Sequence, residues 1–265
     1  MEVGRDREDD ARDVFDLDVI GINQALQQLG GRLEDQVGHI RRDGGSTSDS
    51  AYRHGYTVLT DVRLIAIPSP SALGSRGLID GCRAAEAGGV SSLQVRLKTV
   101  PALQLLRTTQ EVMRAVTIPV YVNDRADVAV LAGAAGVHLG ADDLPASGIR
   151  TVAPRPVRVG VSVGTPAEAD RALRADADYW SIGPFYHTPT KTDAGPALGA
   201  AGFQRLAGLA PKHIPVVAIG GITPVNVTEV LDAGADGVAV ISAIFAAPDV
   251  TAAARILRDL LDSWR

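Results

Sequence analysis

Hydroxyl and lysine side chains are concentrated in the segment from Gly183 to Asp193, which has the sequence GPFYHTPTKTD. Thr188, Thr190 and Lys191 offer two hydroxyl groups and one ammonium group just after a predicted strand. Such groups donate hydrogen bonds to phosphate oxygens, and the ammonium adds charge. The segment therefore predicts a loop that binds a phosphorylated ligand.

A second group of polar residues recurs every two positions, at Gln94, Arg96 and Lys98. Side chains two positions apart lie on the same face of a strand, so these three are expected to point together. Arginine presents a planar fork to phosphate oxygens, and lysine presents a mobile point charge. The spacing favours a diphosphate site, and the alternative is an ion pair with neighbouring carboxylates.

Carboxylates follow the next two predicted strands, with Asp124 after one and Asp142 and Asp143 after the other. Mg²⁺ prefers oxygen ligands and is usually held by one or two carboxylates together with water and phosphate oxygens. We expect Asp124 and Asp143 to form this pair, and Asp142 is an alternative to Asp143 or a helix cap. His138 has no second histidine at ligand spacing, so we expect it to lie in the interior of the fold.

Small residues follow the last two predicted strands. Gly220 and Gly221 come directly after one of them, and Ser242 comes after the other. Glycine lets a phosphate approach the backbone, and a short helix after the last strand can direct its amides at the same group. These residues predict a second phosphate site, which suits a monoester.

Composition limits the function classes. The chain has 265 residues, of which 46% are hydrophobic, and a net charge of −5. This suits one large domain with an appendage, and it argues against nucleic acid as a partner. No apolar run reaches the roughly 18 residues that a membrane helix needs, and residues 1–13 lack the apolar core of a signal peptide. We therefore expect no membrane partner and a cytoplasmic location.

Short apolar runs alternate with amphipathic helical stretches from residue 62 onward, which is typical of βα units. The alternation predicts an α/β fold, a (β/α)8 TIM barrel, with an open doubly wound sheet as the alternative. Active sites of such barrels lie at the carboxyl ends of the strands, where all the motifs above fall. The predicted strands are 63–67, 92–96, 118–122, 136–139, 157–162, 178–182, 214–219 and 237–241.

The N-terminal part has a different character. We divide the chain into an extension at residues 1–60 and a catalytic barrel domain at residues 61–265. The extension contains a Gly/Ser-rich linker at 44–52 and a candidate amphipathic helix from Val19 to Ile40. The glycines in that helix disfavour a self-sufficient coiled coil. Docking of this helix on its own domain and dimerisation through it both fit the sequence. A homo-oligomer is therefore one of two alternatives.

Taken in order, the motifs QVRLK (94–98), NDR (123–125), GADDL (140–144), GPFYHTPTKTD (183–193), IGGI (219–222) and IS (241–242) resemble those of the thiamin phosphate synthase family. The resemblance extends over residues 62–265. It implies a Mg²⁺-dependent transferase that joins an aminopyrimidine methyl diphosphate to a thiazole phosphate, giving thiamin phosphate and diphosphate.

The same resemblance implies a role for each motif residue. The diphosphate substrate would be held by Gln94, Arg96, Lys98, Asn123, Ser162 and Lys191. The thiazole phosphate would be held by Thr188, Pro189, Thr190, Gly221, Ile241 and Ser242. Mg²⁺ would bind to Asp124 and Asp143. Arg96, Lys98, Ser162 and Lys191 would act in catalysis, and no side chain would become a covalent nucleophile.

Three positions depart from the family pattern. The first strand is followed by Ile67-Pro68-Ser69 instead of Thr-Asp, so either the strand is shifted toward Thr60-Asp61 or its loop has diverged. Gly164 stands where the family commonly has histidine, and Leu97 replaces an acidic residue. The glycine removes a polar group near the pyrimidine or the thiazole, whereas neither Leu97 nor the N-terminal extension touches a predicted diphosphate or metal ligand.

Two other functions remain as alternatives. One is a thiazole tautomerase, a sister family on the same barrel that needs no metal and uses a histidine at the position of Gly164. The other is a non-catalytic sensor of thiamin phosphate. Gly164 and the Asp124 and Asp143 pair, which the tautomerase family usually lacks, argue against the tautomerase. The diphosphate and Mg²⁺ ligands argue against the sensor, which has no use for a leaving-group site.

Overall fold

The computed structural model describes residues 62–188 and 195–264. The predicted extension at 1–60, with its helix and linker, lies outside the described residues and stays a prediction. The same is true of Pro189, Thr190 and Lys191 in the predicted phosphate loop.

Eight parallel strands pair in chain order, and the first pairs with the last to close a barrel. The prediction of a (β/α)8 barrel is confirmed, and the open sheet is wrong. The strands are β1 (Leu64–Ala66), β2 (Ser92–Val95), β3 (Val120–Asn123), β4 (Gly136–Leu139), β5 (Arg158–Val163), β6 (Tyr179–Ile182), β7 (Val216–Ile219) and β8 (Gly237–Val240).

Helices connect consecutive strands on the outside of the barrel, and the last two helices follow β8. They are α1 (Pro70–Leu73), α2 (Leu78–Ala87), α3 (Ala102–Ala115), α4 (Ala126–Ala132), α5 (Ala146–Val152), α6 (Pro166–Leu173), α7 (Gly199–Ala207), α8 (Val227–Asp232), α9 (Ser242–Phe245) and α10 (Val250–Ser263). None of the helices in the described ranges combines the length and apolar character that crossing a bilayer requires.

Helical periodicity explains how the outer layer packs. In α10 the buried positions are Val250, Ala254, Leu257 and Leu261, which lie one turn apart on a single face. Asp249 caps this helix by accepting a hydrogen bond from the backbone amide of Ala252 at 2.9 Å. The apolar face and the cap together define where the helix lies and where it begins.

The interior of the barrel is filled by side chains. A cluster of buried residues lies inside it, consisting of Val62, Ile65, Ile67, Tyr121, Tyr179, Val217 and Ala239. The rings of Tyr121 and Tyr179 meet edge to face at 5.8 Å between centroids. A side chain at Gly160 would overlap the Tyr179 ring, so the bare glycine makes room for it. Bulky tyrosines beside glycines thus fill the interior below the functional end.

Strand β1 decides between the two explanations for the unusual first loop. Ile65 and Ala66 pair with Ser92 and Leu93 of β2, and the other edge of β1 pairs with β8. The strand is therefore not shifted toward residue 60, and the loop beginning at Ile67 has diverged.

An ion-pair cluster lies at the opposite end of the barrel, where β6 begins. Asp178 is only 8% exposed. Its carboxylate accepts hydrogen bonds from Arg150 at 2.6 Å, Arg155 at 2.8 Å and the backbone amide of Val159 at 2.7 Å. This one side chain therefore ties α5, the α5–β5 turn and β5 to the start of β6.

We expect Asp178→Ala to lower the free energy of unfolding by about 3 kcal/mol, because the Val159 amide loses its acceptor and Arg150 loses its buried charge partner. Arg150 then keeps two carbonyl oxygens and the exposed Asp176 carboxylate as partners. Urea denaturation measures the change. The matched control is Asp262→Ala, which removes an exposed ion pair with Arg258 on α10 and should cost less than about 1 kcal/mol. Equal losses in the two variants would contradict this account.

Candidate active site

A cavity of about 610 Å³ opens at the carboxyl ends of the strands. All eight strands or their following residues contribute to its wall, so the barrel itself holds the polar groups in a ring. The predicted site residues that the structure describes all line this cavity: Gln94, Arg96, Lys98, Asn123, Asp124, Asp143, Ser162, Thr188, Gly221, Ile241 and Ser242. Pro189, Thr190 and Lys191 lie outside the described residues.

The β2 side of the cavity carries the predicted diphosphate residues. Gln94 is buried in the strand and donates a hydrogen bond from Nε2 to Asn123 Oδ1 at 2.7 Å. The strand ends at Val95, so Arg96 and Lys98 lie in the following turn instead of within the strand. Both still line the cavity. Strand alternation therefore explains why the Gln94 side chain faces the cavity. Arg96 and Lys98 reach the cavity from the segment that follows the strand.

Two carboxylates meet at the ends of β3 and β4. Asp124 adopts a left-handed backbone conformation with φ of 66°, and its amide donates to the carbonyl oxygen of His138 at 2.7 Å. Asp143 accepts a hydrogen bond from the amide of Gly140 at 2.6 Å. Asp143 lies close enough to Asp124 for its carboxyl group to raise the pKa of Asp124. The backbone of each loop thus turns its carboxylate toward the other.

This proximity changes the acidity of one carboxyl group. Burial raises the pKa of Asp124 to about 6, with a further contribution from the neighbouring Asp143 carboxyl group, while Lys98 and Arg96 act in the opposite direction. Carboxylates brought this close are stabilised by a shared proton or by a cation. The oxygen donors fit Mg²⁺, with the cationic side chains nearby for phosphate.

A metal at this position would need ligands beyond the protein. In residues 62–188 and 195–264 there is no group of three or more His, Cys, Asp or Glu side chains that could hold a metal ion. Asp142, the alternative ligand, is exposed on the same loop. Two carboxylates completed by water and phosphate oxygens are a usual environment for Mg²⁺.

On the far side of the cavity, the loop after β7 packs against the loop after β6. Gly221 has φ of 67°, and a Cβ atom there would lie 2.7 Å from Tyr186 Cβ and 2.9 Å from the His187 carbonyl oxygen. Asn226 braces this turn, because its side chain donates to the Gly221 carbonyl oxygen at 3.0 Å and accepts from the Thr223 amide at 2.8 Å. The turn is thus held against the loop after β6, and Gly221 and Thr223 line the cavity.

The family model described as thiamine monophosphate synthase matches residues 64–244, a span that includes every predicted site residue. The chain belongs to the thiamine monophosphate synthase family.

Individual relatives agree with this assignment. The thiamine-phosphate synthase of Methanoculleus marisnigri is 48% identical over 183 residues, covering 68% of this chain and 86% of that protein. The thiamine-phosphate synthase of Moorella thermoacetica is 42% identical over 195 residues, covering 72% of this chain and 92% of that protein. The solved thiamine phosphate pyrophosphorylase from Pyrococcus furiosus superposes with a TM-score of 0.70 at 33% identity, covering 77% of this chain and 96% of that one.

The departure from the thiamine monophosphate synthase pattern at Gly164 has a local explanation. Its amide donates to Glu168 Oε2 at 2.5 Å, and Glu168 also completes the capping box of α6 with Thr165. A Cβ atom at position 164 would lie 3.0 Å from the carbonyl oxygen of Gly183. The position is therefore confined between the start of α6 and the end of β6.

Further residues line the cavity that sequence reasoning did not select. They are chiefly His138, Glu168, Ser181, His187 and Thr223. His138 was expected in the interior, and it is buried there at 6% exposure. Its ring, however, also hydrogen-bonds to Ser162 Oγ at 3.0 Å. The alternation along β4 places His138 on the inner face with Gly136. Nothing in the sequence indicates that His138 forms a hydrogen bond with Ser162 on β5.

Proposed function

We propose that this cavity condenses 4-amino-2-methyl-5-(diphosphooxymethyl)pyrimidine with 4-methyl-5-(2-phosphooxyethyl)thiazole to give thiamin phosphate and diphosphate. Membership of the thiamine monophosphate synthase family makes the chain a transferase of thiamine biosynthesis. The observation that carries the proposal is the gathering of cations, carboxylates and the Gly221 turn around one cavity.

The β2–β4 side would bind the diphosphate. Arg96 and Lys98 would donate hydrogen bonds to its oxygens and stabilise the negative charge that grows as the bond from the methylene carbon to oxygen breaks. The electron pair of that bond leaves with the diphosphate. Gln94 would orient Asn123 through the 2.7 Å hydrogen bond, so that the Asn123 amide group faces the substrate.

Asp124 and Asp143 would hold Mg²⁺. When bound, the ion supplies positive charge to the diphosphate oxygens and makes diphosphate a better leaving group. The proximity of the two carboxyl groups in one cavity supports this assignment, because it brings oxygen donors from two loops together.

The β6–β8 side would bind the thiazole phosphate. Gly221 would offer backbone close to the phosphate, and Thr188 and Ser242 would offer hydroxyl groups. Anchoring the phosphate would place the thiazole nitrogen beside the methylene carbon, so that its lone pair forms the new carbon–nitrogen bond. Ile241 would contact the same substrate. Pro189, Thr190 and Lys191 remain predicted contacts, with Lys191 directed toward the diphosphate.

We propose a cytoplasmic location and no nucleic acid partner, in keeping with the net charge of −5. A homo-oligomer remains a prediction.

One assay separates this function from its alternatives. Purified full-length protein is mixed with both substrates, with Mg²⁺ or with excess EDTA, while thiamin phosphate and diphosphate are measured. The proposal predicts equal amounts of both products, formed only with Mg²⁺. A parallel reaction contains the thiazole carboxylate phosphate alone. Its isomerisation, with no thiamin phosphate formed in the first reaction, would indicate the tautomerase, and saturable binding without turnover would indicate the sensor. Either outcome would overturn the proposal.

A further inference from the structure

Three side chains from neighbouring strands form a hydrogen-bonded chain that runs from the barrel interior to the cavity. The hydroxyl of Tyr179 on β6 lies 2.9 Å from Nδ1 of His138 on β4, and His138 Nε2 lies 3.0 Å from Oγ of Ser162 on β5. Tyr179 is 1% exposed, whereas Ser162 lines the cavity. The chain therefore connects a fully buried phenol to a predicted substrate-binding hydroxyl.

The direction of these hydrogen bonds follows from counting donors. Within the described residues, His138 is the hydrogen-bond partner of the Tyr179 hydroxyl. A buried O–H group without an acceptor is costly, so the Tyr179 hydroxyl donates its proton to His138 Nδ1. Burial also raises the pKa of Tyr179 well above its ordinary value, which keeps the phenol protonated.

The histidine tautomer then follows. A ring nitrogen that accepts a hydrogen bond carries no proton, so the proton of the neutral His138 ring resides on Nε2. Nε2 is the nitrogen that faces Ser162, and it therefore donates to Ser162 Oγ. Because Ser162 Oγ accepts this bond, its own hydroxyl proton is available for a different acceptor.

We propose that Tyr179 and His138 act as positioning residues that fix Ser162 as a hydrogen-bond donor to the diphosphate substrate in the cavity. The proposal rests on the function proposed above, in which Ser162 contacts that substrate. The opposite tautomer would make the serine donate to the histidine and would present only lone pairs to an anionic ligand. A donor at this position instead stabilises charge on a phosphate oxygen.

The packing around Tyr179 holds this geometry. The bare backbone of Gly160 leaves space for the Tyr179 ring, which also meets the His138 ring at 5.6 Å and an interplanar angle of 31°. Tyr121 contacts the Tyr179 ring from its edge. Tyr179 and His138 are both buried, so the packing of the interior supports the observed arrangement of their rings.

The first test reads the tautomer directly and needs no activity. The protein is labelled with ¹⁵N-histidine, and its long-range ¹H–¹⁵N spectrum is recorded. His138→Gln assigns the His138 signals among the five histidines of the chain. We expect a proton on Nε2 alone in the parent protein, and a shift of the His138 tautomer in Tyr179→Phe. A proton on Nδ1 in the parent would overturn the proposal, whether or not the protein makes thiamin phosphate.

The second test asks whether Tyr179 acts through Ser162. Tyr179→Phe should lower kcat about tenfold, as expected for one misdirected hydrogen bond, with the KM for the thiazole phosphate unchanged within about twofold. In the Ser162→Ala background the same substitution should have little further effect on kcat. Full tenfold losses in both backgrounds would mean that Tyr179 acts only on packing, and would overturn the proposal. If the Tyr179→Phe variant does not fold, the His138 tautomer measured in the parent protein still tests the proposal.

Discussion

Asp124→Asn is expected to slow thiamin phosphate formation by about 10³-fold, while the thiazole phosphate binds with nearly unchanged affinity. Asparagine keeps the size of the side chain and tolerates the left-handed backbone at this position, where φ is 66°. It removes the negative charge that would hold Mg²⁺ beside the diphosphate. The loss should therefore appear in the departure of diphosphate and leave the far side of the cavity intact.

Steady-state kinetics at several Mg²⁺ concentrations, together with calorimetric titration of the thiazole phosphate, measure the two effects. The matched control is Asp127→Asn in the first turn of α4, where the aspartate pairs with Arg125 on the surface. We expect the control to retain turnover within about twofold, since exposed ion pairs contribute little. Parallel loss of turnover and of thiazole phosphate affinity in Asp124→Asn would contradict separate sites.

Gly221→Ala should have the complementary effect, weakening binding of the thiazole phosphate about 30-fold and changing the KM for the pyrimidine diphosphate by less than about threefold. An added methyl group would come within 2.7 Å of Tyr186 Cβ and 2.9 Å of the His187 carbonyl oxygen, so the turn must move. The backbone at φ of 67° also disfavours alanine. Both effects act on the β7 turn, far from the two carboxylates on β3 and β4.

Gly133→Ala provides the control for backbone strain alone. Gly133 ends α4 with φ of 70°, and a Cβ atom there would meet nothing within 4 Å. This variant should lose about 1 kcal/mol of stability and bind both substrates normally. If it weakened thiazole phosphate binding as much as Gly221→Ala, the effect would come from reduced stability and not from the turn. Calorimetry and thermal unfolding of both variants distinguish the two causes.

Strand alternation and helical periodicity were sufficient to predict the barrel, because both patterns depend on which residues face the core. They were less accurate at the ends of strands. Lys98 was expected to extend the alternation of β2, but the strand ends at Val95, where its pairing with β3 stops. Strand ends depend on a neighbour that is distant in the chain, which local pattern does not contain.

The polar motifs were likewise visible in the sequence, whereas their contacts were not. Asp124, Asp143 and Gly221 could be selected because each follows a predicted strand, and a barrel brings all such positions to one end. The motifs did not indicate a role for Tyr179, because it does not belong to any of the polar motifs in the sequence. Its hydrogen bond to His138 joins β6 to β4 across the interior, over 41 positions of sequence.

The sequence by itself determined the kind of fold, the family and the end of the barrel at which its polar motifs gather. These properties follow from local periodicity and from residue types in a given order. Only the tertiary structure decided that Asp143 lies beside Asp124, that β1 begins at Leu64 and that Ser162 contacts His138. Closure of the barrel sets those distances, because strand register and side-chain packing together bring residues from different βα units within hydrogen-bonding range.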